Sequence, residues 1–348
     1  MLIGLIVFFG LSLLILLHEA GHFFAAKYFG LSVEEFGFGY PPRITSWKRG
    51  ETEYSLNWLP FGGFVRIAGE NDRIQGAEHL AQIPEDKKQH FFFGQKAWKR
   101  SVVILAGVAV NFLLGWFLLS ALFMIGTPKA LIVTGVQSGS PAQIVGLEAG
   151  DVLLDYASAE SFIQFINAHR GEVVQLKVLH HNEEKMIEAT PRKEVGQNEG
   201  ALGVMLGEAG IARESFFAAL RDGLLQSGII FWQTILSFGD LLKTIVVQRT
   251  IPEGVSGPVG IFSIAQETGK LGLVYLVQLL ALISINLCVL NLMPFPAVDG
   301  GRFFLILVEK IKGSPISLKT EAWINGLGFI FLILLIGGIT VRDILKLL

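Results

Sequence analysis

Residues 13–30 read LLILLHEAGHFFAAKYFG, an apolar helix-forming run interrupted by His18, Glu19 and His22. Ionisable side chains inside a membrane span cost about 2.5–3.5 kcal/mol each on insertion scales and normally mark function. Three such groups within five residues need a partner that repays the cost. On a helix, residues four apart share a face, so His18 and His22 can clasp one ion, and Glu19 projects close enough to act on a water beside it. This is the His-Glu-x-x-His pattern of zinc hydrolases.

The rest of the chain supplies the membrane context. Of 348 residues, 51% are hydrophobic and only 17% charged, against about 25% charged in soluble domains. Three further stretches carry no charge over span length, which is about 20 residues: Ser101–Pro128, Leu271–Val298 and Ala322–Val341. Met1–Leu17 is also uncharged and runs into the opening stretch. It lacks the basic start and small-residue cleavage site of a signal peptide, so it reads as a first span. Cys288 is the sole cysteine, which excludes an internal disulfide and a cysteine-built metal site. No basic cluster points to nucleic acid.

Charge sets the orientation. Lys27–Arg100 holds 11 Lys and Arg in 74 residues, whereas Lys129–Lys270 holds 11 in 142. The short segment after the third span carries Arg302, Lys310, Lys312 and Lys319. The positive-inside rule puts 30–100 and 301–321 in the cytoplasm, and both termini and 129–270 outside. Gly223–Gly239 is uncharged and competes as a fifth span. However, Phe217, Leu220, Leu224, Phe231, Ile235, Phe238 and Leu242 fall on one helical face, with Asp222, Gln226, Gln233 and Asp240 on the other. That pattern suits a helix on the membrane surface, so four spans are expected.

A catalytic zinc takes a third protein ligand and keeps one open position. His79, His90, His169, His180 and His181 all lie in polar segments. The acidic candidate is Asp299, in NLMPFPAVDGGR at the inner end of the third span, a depth comparable to that of His18 and His22. Pro294 and Pro296 force that segment out of helix.

Together these motifs resemble the site-2 protease family of intramembrane zinc metalloproteases, most closely its bacterial RseP-type members. His18, Glu19 and His22 match one family motif. Asn291, Pro294, Pro296, Asp299 and Gly300 match the other, with Val298 in place of the usual Leu. The stretches FGFGYPPRITSWKRGETEYSLNWLPFGGFVRIAGE, AGVAVNF (Val108 for the usual Pro) and SGPVGI extend the likeness along the chain. The resemblance implies Zn2+ held by His18, His22 and Asp299, with Glu19 as the proton-transferring catalytic residue. It also implies Asn291 as a donor to substrate backbone. Asn111, mid-span, is a second polar group at depth, available to substrate or to helix packing.

Within 30–100, Thr52, Tyr54, Leu56 and Trp58 alternate with polar residues, a strand pattern. A small sheet dipping into the membrane could pair its edge with an unwound substrate, with Tyr54 and Leu56 in contact. Residues 130–206 resemble one PDZ domain, where many RseP-type members have two. Its segment VTGVQSGSPAQIVGLEAGDVLLDY places Ser140 as helix cap before Pro141. A second helix is expected over Ser161–Arg170 and strands over Val173–His180 and Met186–Pro191. The turn after Tyr156 is shortened, which favours a steric gate over a peptide-tail site.

The expected fold is therefore an α-helical polytopic membrane protein with four transmembrane helices, a membrane-associated β-sheet and one inserted extracytoplasmic PDZ domain. Its expected partners are membrane lipid and single-pass substrates such as trimmed anti-sigma factors or signal-peptide remnants, in the bacterial inner membrane. A non-catalytic scaffold keeping the same fold is the alternative, but it has no need of the four site residues. A zinc transporter would spread its ligands along a path.

Overall fold

The structure is a computed structural model and describes residues 2–70, 89–127, 129–156, 158–180, 183–196, 200–248, 255–270, 272–314 and 316–347. Residues 71–88 of the expected cytoplasmic segment thus lie outside the described residues. Among those described, four helices are long and apolar enough to cross a membrane: Ile3–Tyr28, Ala97–Ile125, Leu273–Leu292 and Thr320–Leu345. Their outward apolar side chains, such as Leu5, Phe9, Phe117, Phe329 and Leu334, are exposed, as a hydrocarbon solvent requires. This is a membrane protein with four apolar helices and two β-sheets.

Helix α1 (Leu2–Tyr28) is about 40 Å long at 1.5 Å per residue. Strands β1 (Val33–Arg49) and β2 (Thr52–Ile67) follow. They meet at a two-residue turn where Gly50 has φ +64°, the conformation that glycine gives the first position of a tight hairpin. Both strands double back. Gly37 pairs with Ser55 and also with Phe64, so residues 35–38 lie between 53–56 and 63–67. The 62–67 segment packs on α1: a Cβ on Gly62 would meet Ile15 at 2.8 Å, and one on Gly63 would meet Leu16 at 3.0 Å.

Helix α2 (Ala97–Ile125) crosses α1 where two glycines touch. A Cβ on Gly21 would lie 2.7 Å from the Ala106 carbonyl oxygen and 2.9 Å from the Gly107 Cα. Such small-residue contacts bring backbones close in membranes. Ala26, Leu31, Val33, Ile67, Phe92, Val103, Ile104 and Ile306 form the buried cluster that joins these elements.

Residues Ser120–Asp222 form a second compact unit, described here by itself. It contains β3 (Ala130–Val136), α3 (Pro141–Ile144), β4 (Val152–Leu153), α4 (Ala159–Ala168), β5 (Val174–His180), β6 (Glu183–Ala189) and β7 (Val204–Ala209). The sheet order is β6-β5-β4-β3-β7. The Ser140 side chain accepts from the Gln143 N–H with Pro141 in the first turn, as the sequence suggests. Leu131, Val133, Phe162, Leu176 and Val178 fill its core.

Helix α5 (Phe216–Gln248) is not among the four apolar spans. Its packing shows which side chains meet the rest of the protein. Ala219, Gly223 and Ser227 are buried, whereas Phe217 and Leu224 are exposed; the side chain of Leu242 lies outside the described residues. Small side chains permit close approach, so they, rather than the bulky ones, turn inward. Phe231 meets Phe112 of α2 edge-on at 6.0 Å. Thr234 Oγ1 donates to Asn286 Oδ1 at 2.8 Å, so α5 is pinned to spans rather than merely lying on a surface.

Helix α6 (Pro258–Lys270) precedes the third span, α7 (Leu273–Leu292). The segment after it is mostly helix α8 (Asp299–Lys312), and α9 (Leu318–Leu347) is the last described element. Asp343 of α9 is buried and accepts from the backbone N–H of Gly257 and Gly260, each at 2.8 Å. It thereby satisfies the orphan donors at the start of α6.

Candidate metal centre

The centre is assembled from α1, α2 and α8. His18 and His22, one turn apart on α1, put their Nε2 atoms 3.2 Å from each other. Asp299 Oδ2 lies 3.0 Å from His18 Nε2 and 3.3 Å from His22 Nε2. Two donors on one tetrahedral zinc, with bonds of about 2.0–2.1 Å, stand about 3.3 Å apart. All three edges of this triangle come close to that value. Asp299 Oδ2 is buried and has no hydrogen-bond partner of its own, which a cation between the three atoms would correct. His18, His22 and Asp299 therefore fit a zinc ion.

Asp299 reaches this place through an irregular path. Helix α7 ends at Leu292, Pro294 and Pro296 bar its continuation, and Ala297 takes φ +74°, a costly conformation for a residue with a Cβ. Asp299 then opens α8. Gly300 and Gly301 follow because the helix start folds onto the preceding turn: a Cβ there would fall 2.2 Å from the Met293 carbonyl oxygen and 2.0 Å from that of Phe295. Arg302, one turn on, pairs with Glu70 beyond the end of β2. Arg100 of α2 pairs with Glu309 at 2.9 Å, both side chains nearly buried. These two pairs tie α8 to the sheet and to α2.

Glu19 sits beside the triangle, and the Val65 N–H of β2 donates to its Oε2 at 3.2 Å. His22 Nδ1–H donates to the Val103 carbonyl at 2.9 Å, which fixes the ring with Nε2 open to a metal.

The remaining expected residues separate. Asn291 Nδ2 stands 3.5 Å from His18 Nε2, on the side of the ligand triangle. Asn111 is 1% exposed and lies behind His18, its Nδ2 3.1 Å from Nδ1; this removes it from the substrate contacts. Tyr54 and Leu56 lie on a segment paired on both sides, by Phe36 and Trp47 for Tyr54 and by Phe38 and Thr45 for Leu56. That segment has no open backbone edge. The edge next to Glu19 is 62–67 instead.

Sequence reasoning missed Gly107. A Cβ there would lie 2.4 Å from His22 Nε2 and 2.8 Å from His18 Cε1, so only glycine lets both rings lie against α2. Its signal was the small pair Ala106-Gly107 in a span. Nothing in the sequence marked Val65, whose contribution is a backbone N–H.

The comparisons agree with this geometry. The family model for peptidase family M50 matches residues 6–335. A candidate zinc metalloprotease of Clostridium perfringens is 32% identical over 341 residues, covering 96% of each chain. Zinc metalloprotease RasP of Shouchella clausii is 29% identical, covering 97% of each. RasP of Geobacillus kaustophilus is 28% identical over 99% of this chain and 98% of its own. A match along nearly the whole length, meeting a ligand triangle of zinc dimensions, makes this chain a zinc metalloprotease of peptidase family M50, the site-2 protease family.

Proposed function

We propose that the protein cuts peptide bonds within the transmembrane segments of single-pass membrane proteins, and that Glu19 is its general base and acid. The observation that carries this is the Glu19 carboxylate, steered by the Val65 N–H, beside a His18–His22–Asp299 triangle inside a membrane protein. Zinc, when bound, polarises a carbonyl and lowers the pKa of water. Glu19 takes the proton of the attacking water and returns it to the leaving amine. Asn291, at the mouth of the triangle, donates to substrate backbone. The 62–67 edge of β2 offers main-chain groups to a locally unwound substrate, in the manner of strand addition. Regulated proteolysis of anti-sigma factors already trimmed outside, or clearance of signal-peptide remnants, fits such a site. The bias of Lys and Arg supports both termini outside a bacterial inner membrane.

Glu19→Gln should abolish cleavage of a tagged single-span substrate while zinc content stays at the wild-type level. Undiminished cleavage by that variant would remove Glu19 from the chemistry. Zinc loss would recast it as a ligand.

The Ser120–Asp222 unit is read as a PDZ-type domain that filters substrates by the size of their outer parts. One observation favours peptide binding as a second reading. A groove of about 460 Å³ runs between α4 and β7, lined by Phe162, Ile163, Ile166, Leu202, Val204 and Leu206, and β7 is an edge of its sheet. Replacing Thr134–Leu202 by a flexible linker should let untrimmed substrates be cut. A uniform loss of cleavage, of trimmed and untrimmed forms alike, would favour recruitment through the groove and end the filter reading.

A further inference from the structure

The two histidine ligands are not held alike. Behind His22 stands a main-chain carbonyl, that of Val103, which can only accept. Its Nδ1 therefore carries the proton, and the neutral ring keeps the Nε2 lone pair for a metal. Behind His18 stands the Asn111 carboxamide, which offers a donor at one atom and an acceptor at the other. With Nδ2 facing Nδ1 at 3.1 Å, Nδ1 accepts and Nε2 bears the proton. That Nε2–H then faces Asp299 Oδ2 at 3.0 Å. In this tautomer His18 cannot ligate a metal. Meanwhile Asn111 Oδ1 is buried with no hydrogen-bond partner, an unpaired acceptor in a span where such groups are costly.

A carboxamide turned half a circle about its last bond occupies the same space. The turn would bring Oδ1 against Nδ1, pair the orphaned acceptor and move the imidazole proton from Nε2 to Nδ1. We propose that Asn111 is a positioning residue for the zinc site: its carboxamide oxygen accepts the Nδ1–H of His18 in the metal-loaded protein and so opens Nε2 to the ion. Its main chain is fixed for the task, since the Asn111 carbonyl accepts from Ser284 Oγ of α7 at 2.8 Å. The side chain is thereby the one part free to turn. Val103 presets His22 through a main-chain carbonyl, and Asn111 presets His18 through its carboxamide oxygen.

The proposal rests on the zinc reading, and metal affinity tests the two separately. Zinc affinity of the full chain, purified in detergent, is measured by competition with a chromophoric chelator for wild type, Asn111→Leu and Asn111→Asp. Leu keeps the volume but cannot accept, and zinc affinity should fall about 10–100-fold, the range for lost outer partners of metal-bound histidine. Asp always accepts, and its affinity should equal or exceed that of wild type. Wild-type affinity in Asn111→Leu, or a fall in Asn111→Asp as deep as in Asn111→Leu, would overturn the proposal. A wild-type chain that binds no zinc would instead overturn the zinc reading itself. Should Asn111→Leu fail to fold, Asn111→Asp decides alone: its zinc affinity should equal or exceed that of wild type, and a fall of about tenfold or more refutes the role.

Discussion

Adding one methyl group at Gly107 should disable the metal centre from behind. A Cβ at that position would stand 2.4 Å from His22 Nε2, 2.7 Å from His22 Cε1 and 2.8 Å from His18 Cε1. Ordinary carbon contacts begin near 3.4 Å, so the His22 ring would have to retreat by about 1 Å. Metal–ligand distances tolerate only about ±0.2 Å, and the Nδ1–Val103 hydrogen bond ties the ring on its other side. Gly107→Ala should therefore lose zinc by more than the roughly 10–100-fold seen when an outer partner is removed. Overpacking should cost a further ~1–3 kcal/mol of stability. Gly115→Ala is the matched control, two turns along the same helix, where the new Cβ would meet Ile285 Cγ1 at 2.4 Å. It shares the overpacking but touches no ligand. Zinc competition and thermal melting of the purified chains separate the two effects. Wild-type zinc affinity in Gly107→Ala would refute the reasoning, as would equal zinc loss in Gly115→Ala.

Asp299→Ala should release zinc, whereas Glu309→Ala should keep it and lose about 3–5 kcal/mol of stability, because Arg100 is left buried without its partner; retained zinc in Asp299→Ala would place the third ligand elsewhere. In a Cys288→Ala background, a cysteine at position 184 should react with impermeant reagents from outside the cell and one at 314 should not; external labelling at 314 would reverse the assigned orientation.

The metal ligands were legible because their signal is chemical. Histidines four apart in a lipid-soluble helix have few other uses, and an acid after two prolines at the same depth completes the set. The spans were legible from the absence of charge. What stayed hidden depends on which surfaces meet. Gly21 and Gly107 become functional only once α1 and α2 cross, and a glycine in a span carries no mark of its partner. Alternation located a strand at Thr52–Trp58 but not the doubling back of β1 and β2. That fold-back placed Tyr54 and Leu56 in the sheet interior and turned 62–67 toward Glu19. Asn111 showed its polarity in the sequence but not its direction, and a residue pointing at a ligand reads the same as one pointing at a substrate. On α5, the bulky residues marked an apolar face, but nothing in the sequence marked Ala219, Gly223 and Ser227 as the side chains that would be buried.

About 280 residues separate His22 from Asp299. During synthesis the first two ligands enter the membrane long before the third exists. At about 5–20 residues per second, the interval is roughly a quarter of a minute to one minute. Throughout it the growing chain holds two of the three metal ligands and cannot cut its neighbours at the insertion machinery. The hydrolytic centre closes only when α8 arrives near the end of translation, so the order of the chain itself delays the onset of proteolysis until the fold is nearly whole.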